Sequence, residues 1–461
     1  MPYIYGMKQF LLAAVMLALS FNDCRAQSDS AVVRKIRDHI MLRGSCYDDL
    51  RVLTKTVGHR LSGSPAAAKA VKWGEAALRE AGADSVWLQP VWVPHWVRGA
   101  ESLKLQLGGA GYENVNMLSL GNAYGTNGKT LEAPVIMVQT LDEFRSLKDN
   151  EVKGKIVFFN YRFRQDFIIT FMGYGDAVKY RGATPSLVAQ KGGVGVIIRS
   201  VSTGLDDVPH TGSTRYVDSL PKIPAVAIGN TTADRLEQIL RKKEVKAQLT
   251  TNCRMVDSVL SYNVIGELRG IQKPEEYLVC GGHLDSWDVG EGAHDDGAGC
   301  VQSIEVIRTF KKLGIHPRRT IRAVLFMNEE NGAKGGRAYA DSAAARKEQH
   351  IFAMESDAGG FSPRGIGFEM EADKKKKIVD SYGKIFREMG VYDFDHEEGG
   401  VDIDPLKKLG TPLAGLLPDP QRYFDLHHTA SDVFEAVNHR ELKLGAATMA
   451  ALMWLINEHG W

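Results

Sequence analysis

Histidine and carboxylate side chains crowd into one short stretch of the chain, GGHLDSWDVGEGAHDDGAGC at residues 281–300. The stretch holds two histidines, four aspartates and one glutamate, and it directly follows the apolar run YLVC. Imidazole nitrogens and carboxylate oxygens are the ligands that bind zinc and similar divalent cations in proteins. A solvated loop could carry this charge without an apolar lead-in, whereas a metal site at the end of a buried strand needs both.

More acids and histidines follow other apolar segments further along the chain. The segment RTIRAVLFMNEE ends in two glutamates, HIFAMESDAG contains a glutamate and an aspartate, and RYFDLHHTASD contains two adjacent histidines. Ligands of parallel α/β sheets gather at the carboxyl ends of the strands, so these side chains are predicted to meet on one rim. The candidate residues are His283, Asp285, Asp295, Asp296, Glu329, Glu330, Glu355, Asp357, His427 and His428.

A rim with this many carboxylates predicts a cluster of two metal ions. Burying several carboxylates together is costly unless cations neutralise them. Two divalent ions about 3.5–4 Å apart need roughly five protein ligands, one of them shared, and the candidates supply that number. Each motif alone is weak: His283 by itself is more typical of a hydrogen-bonded histidine at a strand end. From the residues alone, His427 and His428 compete for the same role.

The elements that position these residues alternate along the C-terminal half of the chain. Apolar strands and helices follow one another after residue 262, which predicts an α/β fold with a mostly parallel mixed sheet flanked by helices. Helices are also predicted at 30–57, at 65–82 and near 439–458. Between about 120 and 260 the chain changes to short apolar strands with glycine or proline boundaries. We interpret residues 121–260 as an inserted smaller α/β module without chemistry of its own, and residues 27–120 and 261–461 as the main domain.

The N-terminus has the pattern of a secretory signal peptide over residues 1–26. Lys8 precedes an apolar run at residues 10–21, and small and polar residues follow. This run is too short to span a bilayer, which needs about 20 residues. The pattern therefore predicts export to a periplasmic or extracellular location. After cleavage four cysteines remain, which allow one disulfide, although Cys280 and Cys300 lie in apolar surroundings typical of buried thiols.

The composition excludes several classes of function. Apolar residues make up 44% and charged residues 25% of the 461 positions, which is ordinary for a globular protein with a sizeable core. The net charge of +1 provides no basic field, so nucleic acid is not an expected partner, and the mature chain has no apolar segment that predicts a membrane span. No GxSxG motif occurs, which removes the common serine-hydrolase arrangement.

The motifs resemble those of a known family. In their order, HLDSWDVGEGAHDDGAG, NEEN, ESDAG and HHTASD are similar to the M28 family of co-catalytic zinc peptidases. Within that family, GHRLSGSP, VPHWVRGAE and YNVIGEL resemble the carboxypeptidase Q subgroup. The block 121–260 resembles the protease-associated (PA) insertion of that subgroup. The likeness covers nearly the whole mature chain.

The resemblance implies a metal site and a reaction. The implied ligands of two zinc ions per chain are His283 and Asp357 for one ion, Glu330 and His428 for the other, and Asp295 bridging both. Glu329 is then the expected general base, and Asp285 the residue that orients His283. The implied activity is hydrolysis of the amide bond of dipeptides or short peptides with free termini, and a homodimer is expected by the same likeness.

Two alternatives to this peptidase remain open from the sequence. A glutaminyl-cyclase-like enzyme with a single zinc uses the same fold, and a non-catalytic binding protein on that fold would be expected to lack ligands. The chain also departs from the subgroup near the expected substrate pocket. Val401 replaces the hydroxyl residue of a Gly-Thr-Asp segment, next to Asp402. Tyr423 is a candidate substrate contact or, equally, a packing aromatic.

Overall fold

The computed structural model describes residues 29–109 and 111–461 as a mixed α/β structure with two sheets. The predicted signal peptide lies outside the described residues. The helices are α1 (29–43), α2 (Cys46–Val52), α3 (Pro65–Ala81), α4 (Leu141–Ser146), α5 (Asp149–Val152), α6 (Thr170–Ala177), α7 (Lys179–Gly182), α8 (Thr184–Gln190), α9 (Asn230–Leu240), α10 (Ala298–Leu313), α11 (Lys334–Arg346), α12 (Ala372–Arg387), α13 (Tyr423–Leu426) and α14 (His439–His459).

The sheet with the longer strands, called the larger sheet although it has fewer of them, is a mixed seven-stranded sheet, as the alternation of strands and helices predicts. Its strand order is β1-β10-β12-β11-β13-β15-β14, in which β12, β11, β13 and β15 are mutually parallel. Its outer pairs are antiparallel. The strands are β1 (Ser85–Val97), β10 (Arg254–Leu268), β11 (Lys273–His283), β12 (Arg319–Phe326), β13 (Gln349–Glu355), β14 (Pro363–Glu369) and β15 (Leu413–Pro418).

Helices cover both faces of this sheet. Along β11, Leu278 and Cys280 pack into the core that includes α3, α10 and α14, whereas Val279 between them packs against α11. Side chains alternate across a strand, so a strand buried on both faces is apolar throughout. That is why YLVC carries no polar alternation and still forms a central strand.

Local signals set the ends of the N-terminal helices. Ser64 caps α3 by accepting a hydrogen bond from the Ala67 N–H, and the left-handed Gly82 ends it, as the sequence predicts. The single helix expected over 30–57 is wrong in one respect, because it is interrupted at residues 44–45. There the Ser45 N–H turns away to donate to the buried Glu305 carboxylate.

The smaller sheet has eight strands in the order β3-β2-β9-β5-β6-β7-β8-β4. We call residues 101–251 the second-sheet unit, since they contain all of its strands. The domain division at 121–260 stays a prediction, and three of these strands precede residue 121. The strands are β2 (Glu101–Leu105), β3 (Glu113–Val115), β4 (Met117–Ser119), β5 (Leu131–Val138), β6 (Ile156–Phe159), β7 (Gly195–Arg199), β8 (Ala225–Ile228) and β9 (Val245–Thr251).

One antiparallel ribbon connects the two sheets. β1 pairs with β10 up to Val97 opposite Arg254, and β2 then pairs with β9 starting at Glu101 opposite Thr251. Between these ladders the Asn252 N–H donates to the Ala100 carbonyl. The chain therefore enters and leaves the second-sheet unit along two strands that remain hydrogen-bonded to each other.

Two further observations bear on the expectations from sequence. None of the helices in the described ranges is both long and apolar enough to cross a membrane. Cys46, Cys253, Cys280 and Cys300 are all buried free thiols, so the disulfide that their number allows does not form in this structure.

Candidate metal centre and active site

Two strand ends of the larger sheet supply the first half of the site. His283 is the last residue of β11, and Asp357 follows the end of β13 by two residues. His283 Nε2 lies 3.2 Å from Asp357 Oδ1 and 3.1 Å from Asp295 Oδ1, and the histidine is almost fully buried. The parallel pairing of β11 with β13 thus brings together side chains that are more than 70 positions apart in sequence.

The second half of the site lies around Oδ2, the other carboxylate oxygen of Asp295. His428 Nε2 lies 3.2 Å from Asp295 Oδ2 and 3.1 Å from Glu330 Oε2. Glu330 comes from the turn after β12, and the Trp287 N–H donates to its second oxygen over 3.2 Å. Asp295 is therefore flanked by two histidine-carboxylate pairs, one on each of its oxygens.

The donor atoms fit a pair of zinc ions. Zinc binds histidine nitrogen and carboxylate oxygen at about 2.0–2.2 Å in tetrahedral geometry, which places neighbouring ligand atoms about 3.3 Å apart. The four separations around Asp295 are 3.1–3.2 Å. Asp295 Oδ2 is buried without a hydrogen-bond partner among the described residues. The His283 Nδ1–H donates to the Asp285 carbonyl over 2.9 Å, which leaves Nε2 free as a ligand.

The electrostatics of the site also call for cations. Burial, together with the charges of neighbouring carboxylates, raises the pKa of Glu329 and of Glu330 well above their usual range. Although burial opposes its charge, the close imidazoles of His283 and His428 hold the pKa of Asp295 well below its ordinary value. Such a cluster resists full ionisation unless positive charge is bound among its members.

Asp285 contacts His283 through its main chain, and its role in orienting that histidine stays a prediction. Its Oδ1 lies 4.0 Å from His283 Nδ1, and the closer contact to that nitrogen comes from the Asp285 main chain. The Asp285 carboxylate instead accepts the N–H groups of Asn328 over 2.6 Å and Glu329 over 3.1 Å. Because these donors lie in the turn after β12, Oδ1 holds the segment that carries Glu329, while Oδ2 is buried without a hydrogen-bond partner among the described residues.

Two aspartates outside the expected ligand set hold the loop around Asp295. Asp296, which follows it through a cis peptide bond, accepts the N–H groups of His283 and Gly299. Asp432 accepts the N–H groups of His294 over 2.7 Å and Asp295 over 3.1 Å. Asp432 ends the HHTASD motif, yet nothing in the residue order alone reveals this task.

Arg60 fixes the loop between His283 and Asp295. Its guanidinium is fully buried and donates to the main-chain carbonyls of Leu284, Glu291 and Gly292. This loop lacks regular secondary structure, so its carbonyl groups need such donors when buried. The GHRLSGSP motif therefore reaches the site through one arginine.

The remaining candidates lie close to the centre without joining the two pairs. His427 Nε2 is 3.8 Å from Asp295 Oδ2, and its ring stacks on that of His428. Tyr423 is buried and stacks on Phe171 of the second-sheet unit, as expected for a packing aromatic. Glu355 is the buried end of β13.

Glu355 belongs to a buried acidic region beside Asp357. Its Oε2 accepts the N–H groups of Asp402 and Ile403, over 3.1 and 3.2 Å. Asp402 is itself fully buried, and burial with neighbouring charges raises its pKa to about 8. Val401 beside it is 48% exposed, at the point where the sequence departs from the resembled subgroup.

The second-sheet unit contacts the candidate metal centre, and whether it takes part in chemistry stays a prediction. The Trp287 ring inserts into the core of that unit and also lies 5.6 Å, centroid to centroid, from the His428 ring. Thr211 of the unit donates its N–H to the His428 carbonyl, and its own carbonyl lies 3.3 Å from His428 Nδ1. Tertiary packing brings in these groups, and no local sequence pattern marks them.

Known proteins resemble this chain over most of its length. The model of peptidase family M28 matches residues 263–453. Human carboxypeptidase Q is 32% identical over 411 residues, which cover 89% of this chain and 84% of the relative. Carboxypeptidase Q of Xenopus laevis is 33% identical over 420 residues, covering 91% and 87%.

Solved structures agree with these sequence relatives. An M28 peptidase precursor from Shewanella amazonensis SB2B has a TM-score of 0.89 and 33% identity, covering 94% of this chain and 97% of that chain. BSAP, a zinc aminopeptidase from Bacillus subtilis, shares the fold with a TM-score of 0.62 and 20% identity, covering 88% and 93%. The chain belongs to peptidase family M28 and is a metallopeptidase similar to carboxypeptidase Q.

Proposed function

We propose that the protein is an exported exopeptidase with two zinc ions per chain that hydrolyses dipeptides or short peptides with free termini. The observation that carries the proposal is the position of Asp295, whose two oxygens lie 3.1 Å from His283 Nε2 and 3.2 Å from His428 Nε2. Asp357 and Glu330 complete the two ligand sets. The carboxypeptidase Q relatives support the exopeptidase assignment.

Glu329 is the proposed general base. Zinc held by His283, Asp357, Asp295, Glu330 and His428 would supply Lewis-acid chemistry toward a water molecule and the scissile amide. Glu329 accepts the proton of that water and returns it to the leaving amine. The charges of His283 and Asp357 act on its carboxylate, which supports a position beside the proposed zinc ligands. Asp285 Oδ1 accepts the Glu329 N–H and so fixes the main chain from which the Glu329 side chain extends.

The proposal includes three properties of the whole protein. Residues 1–26 act as a signal peptide, residues 121–260 form a PA-like insertion between the two parts of the catalytic domain, and the chain forms a homodimer. The N-terminal pattern supports the first, and the separate eight-stranded sheet supports the second. N-terminal sequencing of the secreted product and light scattering of the purified protein test the first and third.

A metal count combined with a substrate panel tests the central proposal. Mass spectrometry of the native protein is expected to find two zinc ions per chain, and dipeptides are expected to be cleaved only when unblocked. A single zinc with cyclisation of N-terminal glutamine would instead indicate the glutaminyl-cyclase alternative. Absence of bound metal and of turnover would leave the binding-protein alternative.

Replacing the proposed base tests its role separately. Glu329→Gln is expected to keep both zinc ions and to lower kcat by about 10²–10⁴, because the proton acceptor is lost while the ligands remain. Glu397→Gln is the matched control, since Glu397 is exposed and carries the same change in charge. Near-normal turnover of Glu329→Gln would refute the general-base role.

A further inference from the structure

The second-sheet unit presents one buried cation to the candidate metal centre. Arg181 of α7 is 7% exposed, and its Nη1 lies 3.4 Å from both the Thr211 carbonyl and His428 Nδ1. Its Nη2 donates to the Tyr174 hydroxyl over 2.7 Å. Among the described residues no carboxylate forms an ion pair with Arg181, and its Nε has no hydrogen-bond partner. A buried guanidinium without a counter-ion is costly, which indicates a task beyond packing.

That task concerns the face of His428 that points away from the metal ligands. Nε2 of this histidine faces Glu330 and Asp295, so Nδ1 faces the second-sheet unit. A histidine that binds metal through Nε2 carries its proton on Nδ1 and donates it to a carbonyl or carboxylate, which fixes the tautomer and the ring orientation. Here the acceptor is the Thr211 carbonyl, at 3.3 Å.

His428 needs such support because its backbone is strained. Its φ of +63° lies in the left-handed region, which is unfavourable for a residue other than glycine unless the surroundings hold it there. The Thr211 N–H donates to the His428 carbonyl over 3.0 Å. Thr211 therefore holds both the main chain and the ring of the same proposed ligand.

Arg181 fixes Thr211 in turn. The Arg181 guanidinium donates to the Thr211 carbonyl, which also faces His428 Nδ1. The main-chain carbonyl of Arg181 accepts the Thr214 hydroxyl over 2.9 Å. Gly212 has φ +130°, and a Cβ at that position would lie 2.3 Å from Arg181 Nη1. The guanidinium thus lies directly beneath the backbone of residues 211–214 and ties it to α7.

We propose that Arg181 is a positioning residue for the zinc ion held by Glu330 and His428. It fixes the Thr211 carbonyl that receives the Nδ1 proton of His428, and so sets the geometry of one metal ligand from another unit of the fold. The inference rests on the proposed two-zinc function. It differs from a general packing role in predicting that the loss of Arg181 weakens one zinc site and leaves the other, at His283 and Asp357, unchanged.

Competition with a fluorescent zinc chelator measures the two affinities. Arg181→Met is expected to weaken one zinc by about 10–100-fold, the usual effect of losing a partner behind a metal ligand, with the other zinc unchanged. Arg181→Lys keeps a donor for the Thr211 carbonyl and is expected to recover part of the affinity. Cobalt(II) replacing zinc is expected to show an altered visible spectrum for a single ion in Arg181→Met.

Arg199→Met is the matched control for removing a buried arginine. Arg199 is 5% exposed in the same unit but bonds to Asn160 and Asp234, away from the metal centre. It is expected to lower Tm without changing either zinc affinity. Tyr174→Phe removes only the hydroxyl that accepts from Arg181, so it gives a milder same-site effect that remains measurable if Arg181→Met does not fold.

Distinct results separate this inference from the proposed function. Two unchanged zinc affinities in Arg181→Met, or equal weakening of both sites, would overturn the positioning role. A wild-type protein that binds fewer than two zinc ions would refute the proposed function instead. Selective loss of one affinity, with partial recovery in Arg181→Lys, supports the inference.

Discussion

Substitution of Gly121 by alanine tests how tightly the second-sheet unit is joined to the metal centre. A Cβ at this position would lie 1.8 Å from Cη2 and 2.1 Å from Cζ3 of Trp287, and Trp287 is 2% exposed. The Gly121 backbone cannot easily retreat, because its N–H donates to the Gly212 carbonyl and its carbonyl accepts the Thr214 N–H. The indole ring must therefore move.

The size of that movement sets the expected cost. Carbon atoms in contact prefer about 3.5–4.0 Å, so the ring would need to shift by roughly 1.5–2 Å. Overpacking a core typically costs about 1–3 kcal/mol, and a rigid indole that cannot change rotamer in place belongs at the upper end, about 3 kcal/mol. The main-chain N–H of Trp287 donates to Glu330, and the Trp287 ring packs on His428. Because a shift of Trp287 would disturb both contacts, we also expect weaker zinc binding.

Urea unfolding of the zinc-loaded protein measures the free energy of unfolding, and chelator competition measures the metal. Gly175→Ala is the matched control, since Gly175 lies exposed within α6 and a Cβ there meets nothing within 4 Å. It is expected to stabilise by about 0.5–1 kcal/mol, as alanine does in a helix interior. Trp287→Phe shortens the ring and is expected to relieve part of the clash in the double variant.

The reasoning fails if Gly121→Ala is as stable as Gly175→Ala. It also fails if Gly121→Ala is destabilised equally with Trp287 and with Phe at position 287, because the two changes would then be independent. A loss of stability with intact zinc binding would show that the Trp287 ring supports the fold but not the metal ligands.

Three further predictions concern the metal, its loop and acid stability. Chelation is expected to abolish peptidase activity, and added zinc is expected to restore it. Activity that persists after all metal has been removed by the chelator would contradict a metal mechanism. Asp432→Asn loses one of two acceptors for the His294 and Asp295 N–H groups, and zinc affinity is expected to fall about 10–100-fold in chelator competition; unchanged affinity would refute the role of Asp432. Although burial opposes its charge, hydrogen bonds from cationic and amide neighbours lower the pKa of Glu237 to about 2. Its charge therefore stabilises the fold above the unfolded pKa of about 4.3 and is lost as pH falls toward 2, so the Tm gap to Glu237→Gln should close in that window. A gap that stays constant between pH 7 and pH 3 would contradict this reading of Glu237.

The candidate ligands could be predicted from the sequence because strand ends carry a strong signal. Apolar strands that end in His283, or just before Glu330 and Asp357, predict a common rim once the strands are parallel. The structure places His283 3.1 Å from Asp295, Asp357 3.2 Å from His283 and Glu330 3.1 Å from His428. The fold class follows from the same alternation of strands and helices. These features depend on local patterns that a single sequence displays.

The support behind the ligands could not be found in this way. Arg181 and Thr211 lie more than 200 positions from His428 and carry no periodicity or spacing that points to it. Arg60 acts on main-chain carbonyls, which every residue has, so its partners leave no mark in the sequence. Asp285 was expected to orient His283, but the residue order does not show that its carbonyl contacts that ring or that its Oδ1 accepts two N–H groups of the next turn.

The ribbon that joins the two sheets constrains how a peptide can enter. A unit attached by one flexible linker swings about a hinge, but here two strands cross between the sheets side by side, paired on both sides of Asn252. Swinging the units apart would shear that ladder and also withdraw Thr211 from His428. Substrate access is therefore expected through movement of loops beside the candidate site, with the relative orientation of the two sheets unchanged during turnover.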